Sequence, residues 1–172
     1  PNNTDSLYAV TNSNIMISTD AGTSWQSSGP LGRWRDIEFK PNNSNILYAA
    51  KQSGGSSTIY RTNDGGANWN QIVNGLSGSR YRPLIAVTPA NPEVIYALFS
   101  ESDYSFHGLY KSVDSGDNWT QQSNSPNIFG WDTDGTGTGG QAWYDMSLGV
   151  APNNENLVYV GGINIWKSDN SG

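Results

Sequence analysis

Short apolar runs separated by polar turns cover the 172-residue chain, and they recur in a fixed order. Four segments open on a Pro/Asn turn and pass into an apolar run carrying a tyrosine. They are PNNTDSLYAV from Pro1, PNNSNILYAA from Pro41, PANPEVIYAL from Pro89 and PNNENLVYVG from Pro152. Proline fixes φ and asparagine tolerates turn geometry, so these signals have a mechanism, and the runs after them suit buried strands. A second run follows in each unit, as NIMIST, TIYRT, GLYKS or NIWKS, which makes Met16, Tyr60, Tyr110 and Trp166 equivalent positions. A third run precedes Pro41, Pro89 and Pro152, as RDIEFK, PLIAVT and MSLGVA. Its apolar residues alternate (Ile37 and Phe39; Ile85 and Val87; Leu148 and Val150), the period of a strand with one buried face. A fourth, outer strand is expected where NQIV spans Asn70–Val73 and at the equivalent places. No segment shows the helical period with caps.

Before each expected outer strand stands an eight-residue motif. It reads STDAGTSW at Ser18–Trp25, TNDGGANW at Thr62–Trp69 and SVDSGDNW at Ser112–Trp119, and a further copy begins at Ser168 as SDNSG. The common form is Ser/Thr-x-Asp-x-Gly-x-Ser/Thr/Asn-Trp. Gly22, Gly66 and Gly116 supply backbone freedom that a side chain would forbid. Asp20, Asp64 and Asp114 can accept hydrogen bonds from turn N–H groups. Trp25, Trp69 and Trp119 each bury a large surface and anchor the turn. The motif therefore reads as a structural staple rather than a repeated catalytic site. The spacing between copies lengthens along the chain, and the slack lies in loops, the longest passing through PNIFGWDTDGTGTGG. Repetition at this period means a stack or ring of small β-units.

The motif resembles the Asp-box, or BNR repeat, of sialidases, sortilin-type receptors and xyloglucan-degrading glucanases, and the resemblance covers essentially the whole chain. It implies an all-β fold, a β-propeller of four-stranded blades. About three and a half blades are expected, with repeats at about 1–40, 41–88, 89–151 and 152–172. The phrasing of GGQAWYDMSLGVAPNNENLVYVGGINIWKS is most similar to Bacteroidetes surface proteins that leave by the type IX route. That likeness implies a secreted or cell-surface bacterial location. Propellers close with roughly four to eight blades, and an open arc leaves strand edges bare. The chain is thus expected to be a piece of a larger protein whose remaining blades are its first partners.

Composition narrows the function classes. The net charge is −6, and the nine Lys and Arg residues form no runs, which argues against nucleic acid as a partner. The apolar runs are too short to span a bilayer. There is no cysteine, hence no disulfide scaffold and no thiol chemistry. His107 is the sole histidine and is expected as a surface loop residue within ESDYSFHG; alone it supports neither a zinc site nor a Ser–His pair.

The candidate site lies at the start of the strand before each proline. There the chain reads GRWRD (Gly32–Asp36), SRYRP (Ser79–Pro83) and QAWYD (Gln141–Asp145). In a propeller this point is near the mouth of the central channel. Trp34, Tyr81, Trp143 and Tyr144 could stack on sugars or peptide; Arg33, Arg35, Arg80 and Arg82 could pair carboxylates through two-pronged hydrogen bonds. Asp36 and Asp145 are the acids at comparable places. The plainer alternative is that these aromatics pack between blades. The Arg-Ile-Pro signature of sialidases is missing, and no acidic motif matches a glycosidase pair about 5–9.5 Å apart. Asp132 and Asp134, in DTDGTG, read either as a solvated turn or as a loop for a hard cation such as Ca²⁺, although no glutamate closes it; no other cofactor is expected. The expected function is a non-catalytic binding or scaffolding module, an adhesin or an accessory of type IX secretion or gliding. Its ligand would be a glycan or a protein of the surface machinery. The alternative is part of a polysaccharide-active, xyloglucanase-like propeller.

Overall fold

The computed structural model describes residues 4–172, so the opening Pro1–Asn3 turn lies outside the described residues. Fourteen strands form four antiparallel sheets. The first holds β1 (Leu7–Val10), β2 (Ile15–Ser18) and β3 (Gln26–Ser28). The second holds β4 (Arg33–Phe39), β5 (Leu47–Gln52), β6 (Thr58–Thr62) and β7 (Asn70–Gln71). The third holds β8 (Pro83–Val87), β9 (Ile95–Ser100), β10 (Phe106–Ser112) and β11 (Thr120–Ser123), and the fourth β12 (Ser147–Val150), β13 (Val158–Gly161) and β14 (Ile165–Ser168). Each sheet is a simple meander. Inner strands β4, β8 and β12 adjoin in that order, and β1, the equivalent of β5, adjoins β4, so the sheets stand side by side as blades.

The all-β, four-stranded blade is as the sequence predicts, but its bounds differ. Counting repeats from each proline is one strand out of phase with the sheets. The strand before Pro41, Pro89 or Pro152 pairs with the strand after it, so these turns lie inside blades. The register confirms the equivalences: Ala9 opposes Met16, Ala49 opposes Tyr60, Ala97 opposes Tyr110 and Val160 opposes Trp166.

The two recurring turns share one end of every blade, here called the lower end, and they are bonded together. The fourth motif residue (Ala21, Gly65, Ser115, Ser171) donates its N–H to the carbonyl of the fifth residue of the Pro-led turn (Asp5, Asn45, Glu93, Asn156) at 2.8–2.9 Å. This places two successive residues in the left-handed region: Ala21 and Gly22, Gly65 and Gly66, Ser115 and Gly116, Ser171 and Gly172. A side chain is strained there, hence the motif glycine. The motif carboxylate holds the turn. Asp64 accepts Thr62 Oγ1 at 2.7 Å, Asn68 N at 2.9 Å and Asn68 Nδ2 at 2.8 Å, while Thr62 Oγ1 accepts Gly66 N at 2.9 Å. Asp20 and Asp114 repeat the pattern with Ser24 and Asn118. That is why the motif's first position is Ser or Thr and its seventh Ser or Asn.

The motif tryptophans bridge blades. Trp69 Nε1 donates to Ser28 Oγ at 2.9 Å, and Trp119 Nε1 to the Ile72 carbonyl at 3.0 Å, each on the preceding blade. Ile72, just past β7, turns inward to meet Trp119 rather than extending the outer strand. The approach is close: a Cβ on Gly75 would fall 2.0 Å from the Trp119 carbonyl oxygen. Trp119 is 4% exposed, whereas Trp25 is 40% exposed and bonds its own turn, at the Gly22 carbonyl. The expectation of equal burial fails for Trp25, which has no described blade before it.

The seams between blades differ chemically. Between the first and second blades the lower-end contacts are neutral, including Tyr8 OH to the Gly65 carbonyl at 2.9 Å, and at the upper end Arg33 meets the neutral Asn12. Between the second and third they are ionic: Lys40 Nζ meets Glu93 at 2.6 Å and Arg61 meets Asp117 at 2.8 Å. Between the third and fourth, Lys111 Nζ reaches Asn156 at 2.9 Å and the Glu155 carboxylate at 3.6 Å, and Tyr96 OH the Glu155 carbonyl at 2.7 Å. Apolar packing underlies all three, with Tyr48, Tyr96, Tyr110 and Phe99 wholly enclosed.

Trp119→Ala should cost about 3–5 kcal/mol in urea unfolding, and Trp25→Ala only about 1–2 kcal/mol, since half-exposed area and one turn hydrogen bond are lost. Hydrogen bonding from Ser24 and Asn68 lowers the carboxyls of Asp20 and Asp64 to about 2, below their ordinary 3.8. Their folded values lie below their unfolded ones, so their contribution is present above about pH 4 and lost as pH falls towards 2. Acid titration followed by circular dichroism should show Asp64→Asn reducing the stability change across that window.

Candidate functional site

The opposite, upper end carries the starts of inner strands β4, β8 and β12 and the longest loop, residues 124–146. The predicted site residues all lie here, but they do not play one role. Counted back from the equivalent core positions, Trp34 stands three residues before Ile37, Tyr81 four before Ile85 and Trp143 five before Leu148. Along a strand each one-residue slip turns a side chain over, and a bulge between Trp34 and Asp36 shifts the register again.

Trp34 accordingly points inward. It is 2% exposed, edge-on to Tyr60 with ring centroids 5.2 Å apart and 6.3 Å from Trp69. Lys51 Nζ lies 5.8 Å from its ring centroid. The expected stacking face is used by the core. Asp36 is also committed: Oδ1 accepts Ile37 N and Oδ2 accepts Ile85 N, both at 2.9 Å. Its carboxylate ties inner strand β4 to inner strand β8. Burial pushes its pKa up, and the two backbone N–H groups oppose that rise. Tyr81 is half-buried beside Ser100, to whose carbonyl it donates its N–H at 2.9 Å.

Trp143 and Tyr144 instead face outward. They are 53% and 74% exposed, neighbouring rings with centroids 5.4 Å apart. The loop is built beneath them: Asn127 Nδ2 donates to the Gly137 and Gly139 carbonyls, and Ala142 N to the Tyr104 carbonyl. Phe129 packs edge-on to Phe106 at 5.7 Å and anchors the loop in the core. Arg82 donates Nη1 to the Trp143 carbonyl, linking the third blade to this loop. Arg35 donates Nε to Gln52. Asp145 is half-buried near Arg82, outside ion-pair contact, with Oδ1 enclosed and unbonded.

Asp132 and Asp134 are not drawn together around a common centre. Asp134 accepts Thr136 N at 3.1 Å and Thr136 Oγ1 at 2.8 Å, a self-contained turn, and Asp132 accepts Gly135 N through its carbonyl. Among the described residues no group of three or more His, Asp or Glu side chains converges.

The structure also shows what the sequence reading passed over. Glu38 lies two residues beyond Asp36 on the same strand face, and burial together with the Asp36 charge pushes its carboxyl from 4.5 to about 7. The signal was present in RDIEFK, where acids alternate with Ile37 and Phe39. His107, expected on a surface loop, is instead on β10 and nearly enclosed. Its Nδ1 meets Glu101 at 2.6 Å, its Nε2 the Ser77 carbonyl at 3.1 Å, and its ring lies parallel to Tyr110.

The family model described as Sortilin, neurotensin receptor 3 (Sortilin-Vps10) matches residues 13–160 of this arrangement. The chain belongs to the Sortilin-Vps10 family. A xyloglucanase of Hypocrea jecorina is 28% identical over 159 residues, 91% of this chain and 18% of that enzyme. The GH74 xyloglucanase structure from Xanthomonas campestris superposes with a TM-score of 0.70 at 20% identity, over 97% of this chain and 26% of that one. The GH74 enzyme of Niastella koreensis gives 0.70 at 19% identity, over 100% of this chain and 27% of that one. At such identities the structural likeness speaks for the fold: these sheets match part of a β-propeller. The chain spans at most about a quarter of the length of these relatives. No helix among the described residues is long and apolar enough to cross a membrane.

Within this Sortilin-Vps10 propeller segment, Glu38 gives a pH signature. Its folded pKa lies above its unfolded one, so its protonated form is favoured by folding. The contribution is complete below about pH 4.5 and is lost as pH rises to about 7. Thermal melts between pH 4.5 and 8 should therefore show a decline that Glu38→Gln flattens, with the variant the more stable at pH 8.

Proposed function

We propose that the chain is a non-catalytic binding module within a larger secreted or cell-surface β-propeller protein. One observation carries the reading: the upper end holds Trp143 and Tyr144 as an exposed, braced pair of rings, while the equivalent Trp34 is taken into the core. Exposed aromatics on a loop fixed to a rigid scaffold are a recognition surface. Asp36, an acid on inner strand β4, has both oxygens engaged by backbone N–H groups and serves the wall of the propeller. A glycan or a protein segment would be the ligand, and the blades beyond these four the first partners. The phrasing of the repeats supports a place among Bacteroidetes surface proteins of the type IX route, as an adhesin or as an accessory of secretion or gliding.

A second reading is part of a polysaccharide-active propeller, and Glu38 favours it. A half-buried carboxyl raised to about 7 keeps a large protonated fraction near neutral pH and is suited to proton exchange. Likeness to xyloglucanases makes xyloglucan the first substrate to try. The reading needs Glu38→Gln to abolish hydrolysis by the full protein without loss of fold.

The binding reading is tested with glycan and peptide arrays. Trp143→Ala with Tyr144→Ala should remove binding at least tenfold and leave the melting temperature within about 2 °C, because both rings are exposed. Undiminished binding by a folded double variant would end the proposal.

A further inference from the structure

Most cations of this acidic chain are satisfied. Among the Lys and Arg residues, Lys40, Arg61 and Lys111 each have an acidic partner. Lys51 lies over the Trp34 and Tyr60 rings. Arg80 donates to the Ser57 and Gly78 carbonyls and lies over Phe99. Three guanidiniums are treated differently. Arg33 and Arg35 begin β4, and Arg82 stands immediately before β8. Those strands are clamped side by side by Asp36, so all three open on one stretch of the upper end.

None of the three has an ion-pair partner among the described residues. Arg33 touches Asn12 Oδ1 at 3.3 Å, Arg35 touches Gln52 and Arg82 touches a carbonyl oxygen. All three contacts are with neutral acceptors, and Arg82 Nε is enclosed without any. A neighbouring carboxylate, Asp145, stays out of ion-pair contact with Arg82 and also has an enclosed, unbonded oxygen. Like charges face each other: Arg35 lies within electrostatic reach of Arg33 and Arg82, which with burial depresses its pKa. Three mutually repelling cations, two of them partly desolvated, are costly on an acidic protein unless something anionic completes them. Guanidiniums pair carboxylates and sulfates through parallel hydrogen bonds, and the Trp143–Tyr144 rings sit at the same place through the Arg82 contact.

We propose that this end of the propeller takes an acidic polysaccharide: Arg33, Arg35 and Arg82 hold the carboxylate or sulfate of a sugar, and Trp143 and Tyr144 stack on its ring. This rests on the binding reading above and adds the class of ligand. A glycan is favoured over an acidic peptide because adjacent exposed rings offer flat apolar faces beside the cations, the complement of a pyranose bearing an anion.

The experiment is calorimetric titration of the purified protein with oligogalacturonate, a sulfated galactan, neutral xyloglucan oligosaccharide and a polyglutamate peptide, at low and at 0.5 M salt. Oligogalacturonate or the sulfated galactan should bind, and at least tenfold more weakly in high salt, since screening shortens to a few ångströms. Arg82→Ala should weaken that binding at least tenfold. Arg33→Gln is the folding control; its side chain is exposed and touches only Asn12, so the fold should persist while affinity falls severalfold. Arg35→Lys should recover only part of the affinity, because it keeps charge and loses the fork. Xyloglucan binding that needs Trp143 but ignores the arginines would overturn the acidic ligand and leave the binding module standing. Polyglutamate binding without glycan binding would overturn it in favour of a peptide. No binding by any probe to folded protein would remove both.

Discussion

The bond from the fourth motif residue to the Pro-led turn is what the other features of this chain depend on. It joins, in one short contact, the connection between the two inner strands and the connection between the two outer ones. The chain must pass through two consecutive left-handed residues to make it, and the aspartate carboxylate meets the N–H groups that this path exposes. Once the turn is fixed in this way, the tryptophan that follows is aimed away from its own blade and into the flank of the one before. A single local conformation thereby sets the distance and tilt between blades. Each blade is too thin to bury a core alone, and it becomes stable when its neighbour's turn is in place.

Fixing the lower end leaves the upper end free to vary. The lower turns are near-copies in all four blades, while the upper connections range from a tight turn at Thr11–Asn14 to the 124–146 loop. Asp36 closes the gap between inner strands near that end, so the loops stand on a rigid wall. Catalytic or binding residues on such loops inherit precision from the scaffold beneath. The same division explains why the arginines collect there: they stand at strand starts, where no turn has to be built.

The regular part of this architecture could be read from sequence because each unit repeats the same physical problem. Met16, Tyr60, Tyr110 and Trp166 occupy one position, and the motif declares its glycine, its aspartate and its partner hydroxyl or amide. Sheet bounds were less legible, since a repeat has no inherent starting point and proline marks a turn whether it lies within a blade or between two. The site was legible in place but not in detail. GRWRD, SRYRP and QAWYD look alike, yet each aromatic sits one residue further from its core position than the last, and a bulge is invisible in a string of letters. Asp36 found its partner at Ile85 and His107 found one at Ser77, both across blade boundaries that no local pattern reveals. Glu38 hid as an ordinary polar alternate, because its character comes from enclosure and from a neighbouring charge.

Seams that use neutral hydroxyl contacts, then two close ion pairs, then one lysine shared between an amide and a carboxylate act as an address system for the repeats. Arrays of near-identical units are prone to swap partners while they fold, since each unit offers its neighbours almost the same apolar flank. Here Lys40 and Arg61 meet Glu93 and Asp117 of the third blade, and Lys111 meets Asn156 and Glu155 of the fourth. A blade docked one place out of order would leave cations facing the wrong groups at its edge. Modest individual energies thus become a rule of sequence order, and a gene that duplicated one blade would have to rewrite both of its borders.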